Sequence, residues 1–82
     1  MGRSAINPSP RSPTLRDRHI GQRIRCRRWQ IGLSQSYVGG VLGVKYQQVQ
    51  KYETGASRIA ASRLWDLAAL LGVQIGYFYE GL

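Results

Sequence analysis

The sequence has few of the residues that build disulfides, metal sites or catalytic clusters. Its 82 residues include one cysteine, Cys26, and one histidine, His19. A single cysteine excludes a disulfide within the chain, and these two residues cannot fill the four-ligand shell of a structural zinc ion. No nucleophile stands in an arrangement with an acid–base partner, and so short a chain has little room for an enclosed pocket. We therefore expect no metal, no cofactor, no small-molecule ligand and no enzymatic activity.

Acidic residues are also scarce. Four Asp and Glu against twelve Lys and Arg leave a formal net charge of +8 and a pI near 10.6. Such an excess favours a polyanionic partner, either nucleic acid or an anionic membrane. No apolar run approaches the roughly 18 residues that cross a bilayer, and the N-terminus lacks the apolar stretch of a secretory signal. We therefore expect a soluble, cytoplasmic protein without a membrane partner.

The prolines cluster at one end of the chain. All three lie within residues 1–18, among serines and arginines and with few large apolar side chains. Such a segment cannot offset the entropy lost on ordering. The composition predicts a flexible basic arm over 1–18, which is either a solvated leader or lies along a nucleic-acid backbone, and a single small domain over 19–82.

Two helices and a tight turn are predicted next. From Ile20 the apolar spacing becomes helical, and Gly32 is placed to end that first helix. Ser34 is a good N-cap for a second helix, which Gly43 ends in the left-handed conformation. Because the connection to the following helix is so short, the mid-helix residue Gly39 has to be small.

The remaining residues predict two more helices and a terminal turn, with no strand. The segments are 46–53, which Thr54 and Gly55 end, then 61–71, which Gly72 closes, and 75–80. Ile75 and Phe78 are predicted to return to the core, and the two tryptophans, Trp29 and Trp65, are interpreted as packing residues. The expected architecture is all-α, a compact domain of four to five helices.

The spacing within 46–53 also predicts which side chains face outward. Val49 and Tyr52 are three residues apart and are expected to face the core. Gln47, Gln50 and Lys51 then face outward, on a rod whose width suits the major groove of DNA.

These segments carry a family resemblance. The run GLSQSYVGGVLGVKYQQVQKYETG resembles the lambda-repressor-like helix-turn-helix family, of the Cro and xenobiotic-response-element type. The similarity extends to IGQRIRCRRW before the run and LWDLAALLGV after it, so that it covers about residues 20–80. It places the helix-turn-helix at 34–53. It implies a transcriptional regulator of the repressor kind, associated with the nucleoid, which binds a palindromic operator in double-stranded DNA as a homodimer.

The resemblance also implies roles for individual residues. Bases are read from the start of the recognition helix and one turn later, by Tyr46, Gln47, Gln50 and Lys51. Glutamine can bond adenine through its amide, and lysine can donate to guanine acceptors. Arg28 and Glu53 match the family's internal ion pair, which we interpret as structural.

Phosphate contacts are expected around these base-reading residues. Gln35 at the start of the second helix is the strongest candidate, because free backbone N–H groups accompany it there. The other candidates are Arg23, Lys45, Gln48 and Arg58. Each of these is equally consistent with a solvated surface side chain.

Two questions stay open from the sequence. The dimer surface is placed around Tyr77, Tyr79 and Leu82, although ordinary core packing would explain these residues as well. The alternative function is an antitoxin or coactivator-like adaptor, in which the same fold mainly binds a protein. Only phosphate neutralisation makes affinity fall steeply with salt, so a salt titration separates the two functions.

Overall fold

The first helix begins at a capping box that the sequence interpretation missed. The computed structural model describes residues 14–82, in which α1 covers Leu15–Gln30. The Thr14 hydroxyl accepts the Asp17 backbone N–H at 3.1 Å, and the Asp17 carboxylate accepts the Thr14 backbone N–H at 2.9 Å. These bonds satisfy donors that a helix start leaves without partners. The predicted arm is therefore wrong for residues 15–18, which are helical, while residues 1–13 lie outside the described residues.

The next two helices begin and end where their caps predict. The Ser34 hydroxyl accepts a backbone N–H of the first turn of α2, Gln35–Leu42. Gly43 ends α2 in the left-handed conformation, with a φ of 77°. After the turn, α3 covers Tyr46–Thr54 and ends at Gly55, which also has a positive φ. The predicted pair of short helices joined by a tight turn is confirmed.

The last two elements close the domain. α4 covers Ala61–Leu71 and stops at Gly72, and a terminal 3₁₀ helix covers Ile75–Tyr79. α4 packs against α1, α2 and the 3₁₀ helix, whereas α3 packs against α1 and α2. Residues 14–82 contain no strand, so the all-α prediction is confirmed. Within the same residues, no helix is both long enough and apolar enough to cross a lipid bilayer.

The core differs from the predicted one in its aromatic and terminal residues. Phe78 is fully buried as predicted, but Ile75 is 37% exposed. Trp29 and Trp65 are 61% and 69% exposed, so their interpretation as packing residues is wrong. Trp29 follows the buried Ile24 by five residues, which turns it about 140° away around the helix. The most deeply buried side chains are Ile24, Val38, Val49, Leu67, Leu71 and Phe78.

Glycines set how closely the helices approach. A Cβ on Gly39 would lie 2.6 Å from the Val44 carbonyl oxygen, as the short turn predicts. The sequence gives no such signal at Gly21, where a Cβ would overlap the Tyr52 carbonyl oxygen and lie 2.7 Å from that of Glu53. The backbones of α1 and α3 therefore meet at Gly21.

Arginine side chains occupy the carboxyl ends of two helices. Arg27 Nε donates to the Leu71 carbonyl oxygen at 2.8 Å, and Arg63 Nη1 donates to the Leu42 carbonyl oxygen at 3.0 Å. The last carbonyls of a helix lack partners within it and carry partial negative charge. These two arginines satisfy such carbonyls, and they join α1 to α4 and α4 to α2.

Candidate nucleic-acid interface

The outward side of α3 is polar and exposed. Tyr46 is 49% exposed, and Gln47, Gln50 and Lys51 are exposed as well. Val49, on the other side of the helix, is buried in the core. The structure thus orients the four predicted base-reading residues toward solvent, along one edge of a short rod.

A buried ion pair fixes the far end of this rod to α1. Arg28 donates from Nε to Glu53 Oε2 at 2.6 Å and from Nη2 to Oε1 at 2.9 Å. Their side chains are only 8% and 2% exposed. Arg28 Nη1 also donates to the Leu33 carbonyl oxygen at 3.0 Å, where the chain turns toward α2. The pair implied by the resemblance is present, and its geometry is bidentate.

Gln35 extends this network to α2. Its Nε2 donates to Glu53 Oε1 at 3.0 Å, and its side chain is half-buried. Glu53 therefore links α1, α2 and α3 through one carboxylate. The predicted phosphate anchor has an internal partner that its position in the sequence does not reveal, and its phosphate contact stays a prediction.

The turn before α3 presents two more of the predicted residues. Lys45 is exposed at the N-cap of α3, and its side chain makes no capping bond there. Gln48, in the first turn of α3, is half-buried. Both lie beside the exposed edge, at the positions from which we predict backbone contacts.

Comparison with known proteins decides the family. The profile of the helix-turn-helix family matches residues 24–78, more than half of the chain and all of α2, α3 and α4. The chain belongs to the lambda-repressor-like helix-turn-helix family. A transcriptional regulator in the ATPase CF(0) region of Rhodospirillum rubrum is 50% identical over 66 residues, which cover 80% of this chain and 61% of that protein. The chain spans between 46 and 61% of the length of the curated relatives it matches.

Two solved structures share the helix-turn-helix fold, and the matches cover more than nine-tenths of each of those chains. The restriction-modification controller protein C.AhdI from Aeromonas hydrophila is 26% identical with a TM-score of 0.69, covering 74% of this chain and 92% of that one. The P22 c2 repressor, solved in complex with a synthetic operator, is 25% identical with a TM-score of 0.69. That match covers 77% of this chain and 96% of the repressor chain.

Within this helix-turn-helix domain, the Arg23 side chain is turned away from α3 and toward the C-terminal 3₁₀ helix. Its Nε donates to the Tyr77 carbonyl oxygen at 2.9 Å, its Nη2 lies 2.9 Å from Glu80 Oε1, and its guanidinium stacks 3.9 Å from the centre of the Tyr77 ring. These interactions hold the side chain against the C-terminal 3₁₀ helix, and the predicted phosphate contact of Arg23 stays a prediction. The sequence could not show these interactions, because the partners lie 54 and 57 residues further along.

Arg58 pairs with the start of α1. Its Nε lies 3.2 Å from Asp17 Oδ2, and its side chain is 45% exposed. Burial alone would raise the pKa of Asp17, but hydrogen bonds from Thr14 and Arg58 outweigh burial and lower the pKa below its ordinary value. The loop that follows α3 is thus held on the capping box. The predicted phosphate contact of Arg58 stays a prediction beside this structural role.

One further basic residue lies beside the exposed edge of α3. Arg25 lies over the Trp29 ring, 4.3 Å from its centre. It also lines a surface depression together with Gln35, Gln50, Glu53 and Thr54. The sequence analysis did not single out Arg25, although the four-residue spacing to Trp29 is the spacing at which helical side chains meet.

Proposed function

We propose that the chain is a DNA-binding transcriptional regulator whose helix α3 reads base edges in the major groove. The observation that carries this proposal is the exposed edge of α3, held rigidly from behind by Gly21 and by the Arg28–Glu53 pair. A helix has the width that the major groove admits. The curated relatives are named as transcriptional regulators, and the P22 c2 repressor was solved on an operator, which supports the same role here.

The proposed readout uses the chemistry of each exposed side chain. Gln47 and Gln50 present amides that match the adenine edge, while Lys51 donates to guanine acceptors. The Tyr46 ring packs against a thymine methyl group or a sugar edge. Lys45, Gln48 and the start of α2 at Gln35 contact the backbone on either side, and repression follows from occupation of the operator.

Replacing Gln47 tests base readout directly. On a duplex selected from a random pool, we expect Gln47→Ala to weaken binding by about 1–3 kcal/mol and to relax preference at one base position. Gln35→Ala should weaken binding equally on all duplexes, because a phosphate contact carries no sequence information. Titrations of both variants on the selected and a scrambled duplex check this.

Equal, sequence-independent losses in both variants would contradict the division between reading and anchoring. Thermal unfolding of Gln35→Ala serves as a control for its bond to Glu53. Binding that does not weaken with rising salt would instead favour the adaptor function, in which the partner is a protein.

We further propose that two copies bind a palindromic operator, and that they meet on the exposed face of α4. The predicted surface is less suited, because Tyr77 is half-buried beneath Arg23, although Tyr79 and Leu82 are exposed. On α4, the exposed Trp65 borders an apolar depression, and all Cα atoms of α4 lie more than 8 Å from those of α3. A large ring beside small side chains suits a two-fold contact, in which each ring enters the partner's depression. The residues lining the depression are Trp65, Ala68, Ala69, Val73, Gln74 and Ile75.

Trp65→Ala is expected to raise the dimer dissociation constant by more than tenfold, or about 2 kcal/mol, as for a central interface aromatic. Trp29→Ala is the matched control, because Trp29 is similarly exposed but lies on α1. Sedimentation without DNA measures both. The same oligomeric state in the two variants would contradict this placement of the interface.

A further inference from the structure

We infer that Arg25, stacked on the ring of Trp29, binds a backbone phosphate of the DNA beside the recognition helix. This inference rests on the proposed function and adds a site to it. The family resemblance assigned no role to either residue, and the structure shows the contact between them.

The guanidinium group of Arg25 is held against an aromatic ring. Its guanidinium carbon lies 4.3 Å from the centre of the Trp29 ring, within the distance of a cation–π interaction. A stacked guanidinium keeps its in-plane N–H donors free for the edge-on, bidentate binding that suits a phosphate. The ring also restricts the rotamers of a flexible side chain, so less entropy is lost when the phosphate binds.

The Arg25–Trp29 pair lies beside residues of α2 and α3 that are predicted to contact DNA. Arg25 shares a depression with Gln35, the predicted phosphate anchor, and with Gln50, a predicted base contact. Glu53 lies in the same depression but does not compete for the cation. Its side chain is 2% exposed, and its oxygens are taken by Arg28 and Gln35.

The other basic side chains in the second half of α1 are engaged within the fold. Arg23 and Arg27 donate to carbonyl oxygens of the C-terminal half, and Arg28 pairs with Glu53. Within residues 14–82, no carboxylate forms an ion pair with Arg25. Arg25 follows Arg23 by two residues, which turns its side chain about 200° around the helix from that of Arg23. Its side chain therefore lies on the side of α3.

The test measures affinity for a labelled mixed-sequence duplex over a series of salt concentrations. Each phosphate contact contributes about 0.9 to the slope of log K against log salt. We expect Arg25→Ala to reduce the magnitude of this negative slope by about 0.9 and to weaken binding about eightfold at roughly 0.1 M salt. Arg16→Ala is the matched control, because it removes the same charge from an exposed residue of α1 that lies nine residues away, on the opposite side of the helix.

The ring is tested separately. Trp29→Ala should weaken binding by less than Arg25→Ala and leave the slope nearly unchanged, while Trp29→Phe should restore affinity, because an aromatic face is retained. Equal effects of Arg25→Ala and Arg16→Ala would overturn the site in favour of long-range charge. If Trp29→Ala binds the duplex as tightly as the unaltered protein while Arg25→Ala binds it more weakly, the proposed role of the ring is wrong.

Failure of this site and failure of the proposed function give different results. If Lys51→Ala weakens binding and Arg25→Ala does not, α3 reads DNA and the Arg25 site is wrong. If the unaltered protein shows no salt-dependent binding to any duplex, the proposed function itself fails.

Discussion

Replacing Arg28 with alanine is expected to lower the free energy of unfolding by about 3–5 kcal/mol, the largest effect among the variants considered. The loss arises because Glu53, with 2% of its side chain exposed, would remain buried as a charge without its bidentate partner. Urea unfolding followed by circular dichroism measures the change. DNA affinity should fall with it, because Glu53 lies on α3 and Arg28 is the contact that fixes its position relative to α1.

An exposed ion pair of the same protein provides the control. Glu80, whose side chain is 68% exposed, pairs with Arg23, and Glu80→Ala should cost less than about 1 kcal/mol. A double variant in which Arg28→Met accompanies Glu53→Leu should be closer in stability to the parent than Arg28→Ala is, because no charge is left buried. Equal stability of Arg28→Ala and Glu80→Ala would show that the buried pair contributes no more than a surface pair.

Replacing Gly21 with alanine is expected to lower the free energy of unfolding by about 3 kcal/mol, although alanine is the better helix former. The added Cβ would overlap the Tyr52 carbonyl oxygen and lie 2.7 Å from that of Glu53. Both are backbone atoms, so relief requires α3 to move away from α1. The variant should therefore also bind DNA less tightly than its remaining folded fraction would suggest.

Gly40→Ala is the matched substitution, because it adds the same methyl group at a helical position that has free space. Apart from its chain neighbours and its own helix backbone, no atom lies within 4 Å of a Cβ at Gly40. We expect it to raise the free energy of unfolding by about 1 kcal/mol, as the helix propensities of alanine and glycine dictate. Parallel urea titrations of the two variants give the comparison. If both glycines respond alike, helix propensity and not the close approach of α1 and α3 governs Gly21.

Local signals were enough to predict most of the helices. Ser34 is a side-chain cap, and Gly43, Gly55 and Gly72 take positive φ values, so each of these boundaries depends on the residue itself and its immediate neighbours. The three-residue spacing likewise predicted that α3 would bury Val49 and expose its polar side.

What could not be predicted depends on residues far apart in the chain. The tyrosine and glutamate that hold Arg23, the carbonyl that receives Arg27 and the closeness of Gly21 to α3 all come from tertiary packing. The exposure of Trp29 and Trp65 contradicted the expectation that large aromatic side chains are buried. The start of α1 was missed for a different reason, because the Thr14–Asp17 capping box directly follows a proline-rich stretch.

Several arginines are engaged within the fold, so the formal net charge overstates how many positive side chains are available to a polyanion. The sequence has twelve basic residues, and within residues 14–82 five arginines already donate to carbonyls or carboxylates inside the fold, namely Arg23, Arg27, Arg28, Arg58 and Arg63. These guanidinium groups are engaged by internal oxygens, so they are less available to the phosphate groups of a nucleic acid. The number of ions released when the chain binds a polyanion should therefore be smaller than the formal charge implies, which leaves a larger share of the affinity to contacts with the bases.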